Sequence, residues 1–301
     1  MPDSVFLHDS VFWLDFRRNF LYNDVRVTSV RVTKVRVTNV RRVKRLERMN
    51  EMRFCIPIPC FFGNLDFCDA LRKVASLGFD AAETYRWKDL ELDKVRAVCE
   101  ETGVELISMC TSEFNMTSPE NREVYLAALR ESCEAAKRVG AAKLITQVGP
   151  DTGAERAFQH ESIVSTLRAA VPILESYGVT LMIEPLNTFV DHPGYYLTSA
   201  AEAFDMIREA DSPFVKVVYD MYHQQIMEGN IIPSVTKNLG LIAHLHAAGH
   251  PGRHELQSGE LNYAVVFDAI DKAGYVGACG LEYFPLLPPE ESLQVFKKLY
   301  L

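Results

Sequence analysis

Four residues that could bind a metal ion lie at or near the ends of four successive apolar segments. The segments VTLMIE, VKVVYD and GACGLE end on Glu184, Asp220 and Glu282, and His246 lies one residue before the end of IAHLHA. An ionised carboxylate in such a position costs several kcal/mol unless it is paired or bound to a cation. Three carboxylates and one imidazole suit Mn2+, Mg2+ or Co2+ and also allow Zn2+. For each residue taken singly, the alternative is a salt bridge at the edge of the fold.

These segments belong to a series of eight short apolar segments that alternate with stretches of helical periodicity from Met52 onwards. The predicted strands are residues 53–58, 80–84, 104–110, 142–147, 179–184, 215–220, 242–247 and 277–282. The predicted helices lie near residues 64–77, 89–102, 119–139, 157–177, 198–209, 229–239, 262–273 and 289–299. Apolar strands that alternate with amphipathic helices are typical of a parallel sheet covered by helices. We therefore predict an α/β fold, a single-domain (β/α)8 TIM barrel over residues 52–301, with an open doubly wound sheet as the alternative.

A closed barrel would bring the four candidate ligands together, because the C-terminal ends of its strands open on one face. Other polar residues follow the strands at the same face. Arg253 lies on the loop after the seventh strand, where a guanidinium would bind a substrate carboxylate through two parallel hydrogen bonds. We predict four substrate-binding residues at this face: His223, Arg253, Asn187 and Gln147. The alternatives are a packing histidine for His223 and a surface arginine for Arg253.

Two further polar residues point towards this face. Glu83 lies near the end of the second predicted strand. His244 lies on the same side of the seventh strand as His246, because side chains alternate along a strand, but it lies deeper in the barrel. We expect His244 to be a hydrogen-bonded core histidine and not a ligand.

Residues 1–51 differ from the rest of the chain in composition. They carry 11 Lys/Arg and 6 Asp/Glu, whereas residues 52–301 carry 21 Lys/Arg and 34 Asp/Glu and have a net charge of −13. Residues 25–44 repeat VRVT with a period of five residues, which matches no standard repeat fold. We predict a basic low-complexity N-terminal arm. It is either a disordered or edge-pairing arm or a translated upstream region with the native start at Met49 or Met52. The second interpretation is favoured, because the alternation of strands and helices after Met52 predicts a complete barrel without residues 1–51.

The composition also limits the class of partner. The acidic charge of residues 52–301 argues against nucleic acid. No window of about 18 apolar residues predicts a membrane-spanning helix, and the start of the chain does not resemble a secretory signal. The seven scattered cysteines include no CxxC pair and are typical of reduced thiols in the cytoplasm. We therefore expect a cytoplasmic protein that acts on a small molecule, without a membrane, as a monomer or a homo-oligomer.

Four longer stretches contain most of these candidate residues: IEPLNT (183–188), YDMYHQQIMEGN (219–230), PGRHELQSGELNY (251–263) and GLEYFP (280–285). They resemble the hydroxypyruvate isomerase group of the xylose-isomerase-like sugar isomerase and epimerase barrels, and the resemblance covers about residues 52–301. It implies one divalent metal ion, Mn2+ first and Mg2+ or Co2+ as alternatives, with the ligands Glu184, Asp220, His246 and Glu282. It also implies that Glu184 and Glu282 act as an acid/base pair on opposite faces of the substrate, and that His223 and Arg253 bind substrate oxygens.

The resemblance further implies the class of reaction. A metal-dependent isomerase of this group moves a proton between adjacent carbons of a small sugar or hydroxy-oxo acid through an enediolate. Return of the proton to the neighbouring carbon gives an isomerisation, such as hydroxypyruvate to tartronate semialdehyde. Delivery of a proton to the opposite face gives an epimerisation.

Two sequence features favour different substrates, so the identity of the substrate is not decided by the resemblance. Many hydroxypyruvate isomerases carry Gln at the position of His246, where ketose 3-epimerases of the tagatose or psicose type carry His. Only 19 residues follow Glu282, fewer than in those epimerases, which favours the hydroxypyruvate isomerase group. Further alternatives are a metal-dependent lyase on sugar conjugates, an endonuclease-type barrel and a non-catalytic sugar-binding barrel.

Overall fold

In a computed structural model, which describes residues 52–301, eight parallel strands form a closed barrel. The strands β1 to β8 are Arg53–Pro57, Ala81–Thr84, Glu105–Cys110, Lys143–Thr146, Thr180–Ile183, Val215–Asp220, Ile242–Ala247 and Ala278–Leu281. Each strand pairs with the next, and β8 pairs with β1. The prediction of a (β/α)8 barrel is confirmed, and each predicted strand boundary lies within one residue of the observed one. The N-terminal arm predicted for residues 1–51 lies outside the described residues.

Helices connect the strands and cover the barrel. The helices α1 to α10 of residues 52–301 are Ile58–Phe61, Phe67–Ser76, Leu92–Thr102, Arg122–Val139, Arg156–Tyr177, Ala200–Ala210, Met221–Met227, Ile231–Lys237, Tyr263–Lys272 and Pro289–Tyr300. Short 3-10 turns lie at Pro119–Asn121, Leu239–Leu241 and Leu256–Ser258. None of the helices in this range combines the length and the apolar character that crossing a bilayer requires.

The connection between β6 and β7 differs from the predicted one. The sequence pattern predicts one helix near residues 229–239 after a short turn, but the structure has two helices, α7 and α8. Gly229 and Asn230, with φ of 64° and 52°, separate them, because left-handed backbone interrupts a helix. Helix α7 begins directly at the end of β6. There, Oδ1 of Asp220 accepts hydrogen bonds from the N–H groups of Tyr222 (2.7 Å) and His223 (3.4 Å) and caps the helix.

Three helices end at a glycine that turns the chain back into the barrel. Gly103, Gly140 and Gly178 cap α3, α4 and α5, and their φ angles are 75°, 83° and 67°. Glycine adopts this left-handed conformation without the steric penalty of a Cβ atom, so each helix stops sharply. The strands β3, β4 and β5 begin two or three residues after these glycines. The start of each strand in turn determines the position of its C-terminal end.

The barrel interior is filled with small and medium apolar side chains up to a polar layer. Two buried clusters contribute Cys55, Ala81, Ile107 and Ala278, and Ile145, Met182 and Val218. The next inward position on β2 after Ala81 is Glu83, which is buried beside His244 of β7. The apolar filling therefore ends one layer below the C-terminal face.

Candidate active site

The four predicted metal ligands converge at the C-terminal face of the barrel. Glu184 and Glu282 are the first residues after β5 and β8, Asp220 ends β6, and His246 lies in β7. All four are buried, and none is more than 8% exposed. Nδ1 of His246 lies 3.4 Å from Oε1 of Glu184 and 3.2 Å from Oε2 of Glu282. The strand ends thus gather the set into one cluster.

A second histidine lies beside the same carboxylates. Ligand atoms of Glu184, Asp220, Glu282 and His223 all lie within 4.8 Å of one another. Proximity alone therefore offers His223 as well as His246 as the nitrogen ligand. The hydrogen bonds of their ring nitrogens distinguish the two histidines.

The tautomer of His223 is set by Asn187. Nδ2 of Asn187 lies 2.6 Å from Nδ1 of His223, and the backbone N–H of Asn187 points at the same atom at 3.3 Å. Oδ1 of Asn187 accepts hydrogen bonds from the N–H groups of Val190 and Asp191, both at 3.0 Å, which leaves its NH2 group to face the ring. Nδ1 of His223 therefore accepts, and the ring proton lies on Nε2. A protonated nitrogen cannot bind a metal, so His223 presents an N–H donor instead.

This donor points into the site. Burial, and to a smaller degree the charge of Arg253, holds the pKa of His223 well below its usual value, so the ring is neutral. Nε2 lies 3.5 Å from Oδ2 of Asp220 and has no hydrogen-bond partner among residues 52–301. A neutral ring with an unpartnered N–H group suits the predicted binding of a substrate oxygen, which stays a prediction.

Three buried atoms of the predicted ligands also lack a hydrogen bond of ordinary geometry within the described part of the chain. They are Oε1 of Glu184, Oδ2 of Asp220 and Nδ1 of His246. Buried polar atoms are normally satisfied, so three such atoms in one cluster indicate a further binding partner. Burial and the charge of Glu282 raise the pKa of Asp220 to about 8, and burial raises the pKa of Glu184. A divalent cation among these groups would remove the repulsion behind these shifts, so the residues fit a metal ion.

Arg253 is paired with Glu282 at the edge of the cluster. Its Nη2 donates to Oε2 of Glu282 at 2.7 Å and lies 3.9 Å from Oδ2 of Asp220. Burial would raise the pKa of Glu282, but the charges of Arg253 and His246 outweigh this effect and hold the pKa well below its usual value. Glu282 is therefore ionised, whereas Glu184 is shifted towards its protonated form.

The loop that carries Arg253 is fastened to the loop after β8 by Glu255. The carboxylate of Glu255 accepts hydrogen bonds from the backbone N–H of Leu286 and from the hydroxyl of Ser292, both at 3.0 Å. Burial would raise the pKa of Glu255, but hydrogen bonds from backbone N–H groups and from Ser292 outweigh it and lower the pKa. Because Glu282 begins the second loop, Glu255 fixes the relative positions of Arg253 and Glu282.

A cavity of about 580 Å3 opens on the cluster. Glu184, His246 and Glu282 line it, together with three of the predicted substrate-binding residues: His223, Arg253 and Gln147. Asn187 is fully buried and lies behind His223, where it orients the ring and has no place on the cavity wall. Glu83 and His244 lie below the cavity and hydrogen-bond to each other, as expected for His244.

Sequence reasoning missed Tyr85, which also lines the cavity. Tyr85 is the first residue after β2, the position that Glu184 and Glu282 hold after β5 and β8. Its hydroxyl lies 3.1 Å from Sγ of Cys60, and its interaction with Glu282 helps to lower the pKa of that carboxyl group. The rule that found the two glutamates, applied one residue beyond the second predicted strand, would have found Tyr85.

The sequence of the barrel is similar to known isomerases. The family model described as Xylose isomerase-like TIM barrel matches residues 71–299. The hydroxypyruvate isomerase of Escherichia coli (strain K12) is 29% identical over 252 residues, which cover 81% of this chain and 97% of that protein. The 2-oxo-tetronate isomerase of Cupriavidus necator is 38% identical over 132 residues, which cover 44% of this chain and 50% of that protein.

Solved structures share the barrel. The crystal structure of an AP endonuclease, family 2, from Brucella melitensis has a TM-score of 0.77 and 27% sequence identity, and the match covers 83% of this chain and 99% of that chain. The D-psicose 3-epimerase of Clostridium cellulolyticum H10, solved with D-tagatose, has a TM-score of 0.72 and 20% identity, with 83% and 98% covered. At this identity, the likeness to the epimerase shows a common fold only.

Proposed function

Because this chain belongs to the xylose isomerase-like TIM barrel family and is an isomerase, we propose that it is a metal-dependent isomerase of a small hydroxy-oxo acid. It would move a proton between adjacent carbons, with hydroxypyruvate as the first candidate substrate. One observation carries the proposal. At one end of a cavity of about 580 Å3, the carboxylates of Glu184 and Glu282 meet Asp220 and His246.

The metal ion would be held by carboxylate oxygens and one imidazole nitrogen. The ligands would be Glu184, Asp220, Glu282 and, through Nδ1, His246. A mostly oxygen set with one nitrogen suits Mn2+ first, and Mg2+ or Co2+ as alternatives. When bound, such an ion stabilises negative charge that develops on substrate oxygens.

Glu282 and Glu184 would move the proton. Glu282 is held ionised by Arg253 and His246, so its carboxylate is suited to take the proton from the substrate carbon. Glu184 would face the substrate from the opposite side, as the resemblance to the sugar isomerase and epimerase barrels implies. Return of the proton to the adjacent carbon by the same glutamate gives an isomerisation, and delivery to the opposite face by the other glutamate gives an epimerisation.

Two groups on the cavity wall favour a substrate that carries a carboxylate. The guanidinium of Arg253 and the Nε2–H group of His223 both face the cavity beside the cluster. Arginine binds carboxylates through paired N–H donors. The relatives from Escherichia coli and Cupriavidus necator are isomerases of hydroxypyruvate and 2-oxo-tetronate, and both of those compounds are carboxylic acids.

The alternative is a ketose 3-epimerase of the tagatose or psicose type. His246 favours it, because those epimerases carry His where many hydroxypyruvate isomerases carry Gln. A neutral polyhydroxy substrate would still use His223 and Gln147 as hydrogen-bonding partners, but it would leave Arg253 without an anionic partner on the substrate.

We also propose that the protein acts in the cytoplasm and without nucleic acid. All seven cysteines lie in the described part of the chain, and each is a free thiol. Residues 52–301 carry a net charge of −13, which opposes binding to a phosphate backbone.

Proton NMR in D2O would test the proposed reaction. The protein would be incubated with Mn2+ and, separately, with hydroxypyruvate, 2-oxo-tetronate, D-tagatose and D-psicose. We expect deuterium incorporation and product from an oxo acid, loss of both after chelation, and loss of both in Glu282→Gln. A matched control is Glu260→Gln, an exposed glutamate on the loop after β7. Turnover of the ketoses alone would favour the epimerase, and near-normal turnover by Glu282→Gln would refute the role of Glu282.

A further inference from the structure

We propose that Glu83 is a positioning residue for the metal site: it holds His246 as the tautomer whose Nδ1 atom is free to bind the ion. The inference rests on the proposed metal site, but it does not depend on which substrate the enzyme takes. Glu83 lies on β2, is 1% exposed, and does not line the cavity. It therefore acts through another residue and not on the substrate.

The carboxylate of Glu83 contacts both histidines of β7. Its Oε2 atom lies 2.9 Å from Nε2 of His244 and accepts a hydrogen bond from the hydroxyl of Ser108 at 2.7 Å. Nε2 of His246 faces the same carboxylate, 3.4 Å from Oε2 and 3.3 Å from Oε1. Glu83 thus lies directly behind the ring that carries the predicted nitrogen ligand.

The hydrogen-bond contacts of Glu83 decide which nitrogen of His246 carries the proton. Oε2 of Glu83 accepts a hydrogen bond from the hydroxyl of Ser108 and lies at hydrogen-bond distance from Nε2 of His244 and of His246. The oxygen that accepts from Ser108 also faces Nε2 of His246, so Nε2 donates and carries the ring proton. Nδ1 faces Glu184 and Glu282, and in the neutral ring it keeps its lone pair for an ion. In the opposite tautomer, Nδ1 would carry the proton and could not bind a metal. Carboxylates often orient ligating histidines in this way.

The backbone around Glu83 is shaped to permit this contact. Gly280 of β8 faces the pair, and a Cβ atom at this position would lie 2.2 Å from Oε1 of Glu83 and 2.7 Å from Cδ2 of His246. Ser108 pairs with Glu83 in the register of β2 and β3 and binds the other carboxylate oxygen. Three strands besides β7 therefore hold the carboxylate against the ring.

Glu83 could instead bind an ion itself, because one atom each of Cys55, Glu83 and His244 lie within 4.8 Å of one another. The contacts argue against this. Oε2 of Glu83 already accepts from Ser108 and lies at hydrogen-bond distance from Nε2 of His244. Burial also raises the pKa of Cys55 well above its usual value, so the thiol keeps its proton. The number of bound ions distinguishes the two roles.

The test is Glu83→Gln in the full-length, metal-stripped protein, with the Kd of Mn2+ measured by isothermal titration calorimetry. The amide NH2 can donate to Nε2 of His246 and so favour the tautomer with the proton on Nδ1. We expect Mn2+ to bind about 10- to 100-fold more weakly. Ring 15N shifts, recorded with Mg2+, should show Nε2 of His246 protonated in the wild type and less so in the variant. Thermal denaturation without metal checks that each variant is folded.

The matched control is Cys55→Ala. It removes a buried side chain 3.8 Å from His244 in the same layer and leaves the contact of Glu83 with His246 intact. We expect its Kd to stay within about twofold of the wild type. Should Glu83→Gln fail to fold, Glu83→Asp, whose shorter side chain withdraws the carboxylate from His246, is measured in its place, and weaker Mn2+ binding is again expected.

Two results would overturn the role of Glu83. The first is a Kd within twofold of the wild type together with unchanged ring shifts of His246. The second is a wild-type stoichiometry of two ions that falls to one in Glu83→Gln, because Glu83 would then be a ligand. A wild type that binds no divalent ion would refute the proposed function as well. One ion in the wild type and weaker binding in the variant would support the role of Glu83, even if the substrate screen is negative.

Discussion

Asn187 lies near the site, where two roles are open to it: contact with the substrate and orientation of His223. The substitution Asn187→Ala distinguishes between these two roles. The side chain makes four hydrogen bonds. Its Oδ1 accepts from the N–H groups of Val190 and Asp191, and its Nδ2 donates to Oδ2 of Asp191 and to Nδ1 of His223. In Asn187→Ala all four are lost, and Nδ1 of His223 keeps only the weaker contact with the backbone N–H at 3.3 Å.

The expected magnitudes follow from burial. His223 is fully buried, and a buried acceptor left poorly satisfied costs about 1–3 kcal/mol, whereas the N–H of exposed Val190 can bind water. We expect the free energy of unfolding to fall by about 2–4 kcal/mol, which a domain of ordinary stability tolerates. Without the amide, the two neutral tautomers of His223 become comparable in energy. Loss of about 1.4 kcal/mol of transition-state interaction would lower kcat/KM about tenfold.

Three measurements on Asn187→Ala test this reasoning: urea unfolding, the ring 15N shifts of His223, and kcat/KM with Mn2+. We expect a mixture of tautomers at His223 and a lower kcat. Asn238→Ala is a matched control, because Asn238 makes hydrogen bonds to Ser234 and Arg208 and has no contact with His223. It should lose stability without a change in the ring shifts.

The orienting role of Asn187 would be refuted by one pattern of results. In that pattern, His223 keeps its proton on Nε2 in Asn187→Ala, stability is unchanged, and KM rises while kcat stays constant. Such a result would mean that Asn187 contacts the substrate directly, as the sequence had suggested.

Three further predictions concern neighbouring groups. Tyr85→Phe removes the hydroxyl group that helps to lower the pKa of Glu282, so this pKa should rise and the acidic limb of the pH profile of kcat/KM should move to higher pH; an unchanged limb would contradict the interaction. The pKa of Glu255 is lowered in the folded protein, so its stabilising effect is present above the pKa of the unfolded chain and is lost as the pH falls. Glu255→Gln should therefore cost about 1–2 kcal/mol in urea unfolding at pH 7 and progressively less below about pH 4.5, and a pH-independent difference would refute this account. Mn2+ at about 100 times its Kd should stabilise the wild type by about 2.7 kcal/mol, and the absence of a shift in Tm would count against the metal site.

Much of the barrel follows from local patterns in the sequence. The strands are nearly continuous apolar runs, and several helices end at a glycine shortly before the next strand. The sequence therefore marks both the strand and the end of the helix in each strand–helix unit. The ends of β5, β6 and β8 could be located to within one residue for the same reason, and this was enough to bring Glu184, Asp220 and Glu282 together.

The direction of individual side chains could not be predicted in this way. Asn187 lies three residues beyond Glu184, yet it turns behind His223 and not towards the cavity, because its amide binds the N–H groups of its own loop. The assignment of His223 as a donor depends on that same amide. The sequence pattern predicts a turn in place of helix α7, because its cap, Asp220, is also the last residue of β6 and no separate signal marks the start of the helix.

The two carboxylate oxygens of Asp220 have different roles. Oδ1 caps α7 through the N–H groups of Tyr222 and His223, so only Oδ2 remains for an ion. One turn of backbone would then fix the distance between a bound ion and the Nε2–H donor of His223. Glutamate at position 220 would change that distance or release the start of the helix. The proposed site would thereby select substrates by the separation of two oxygen atoms, one for the ion and one for His223.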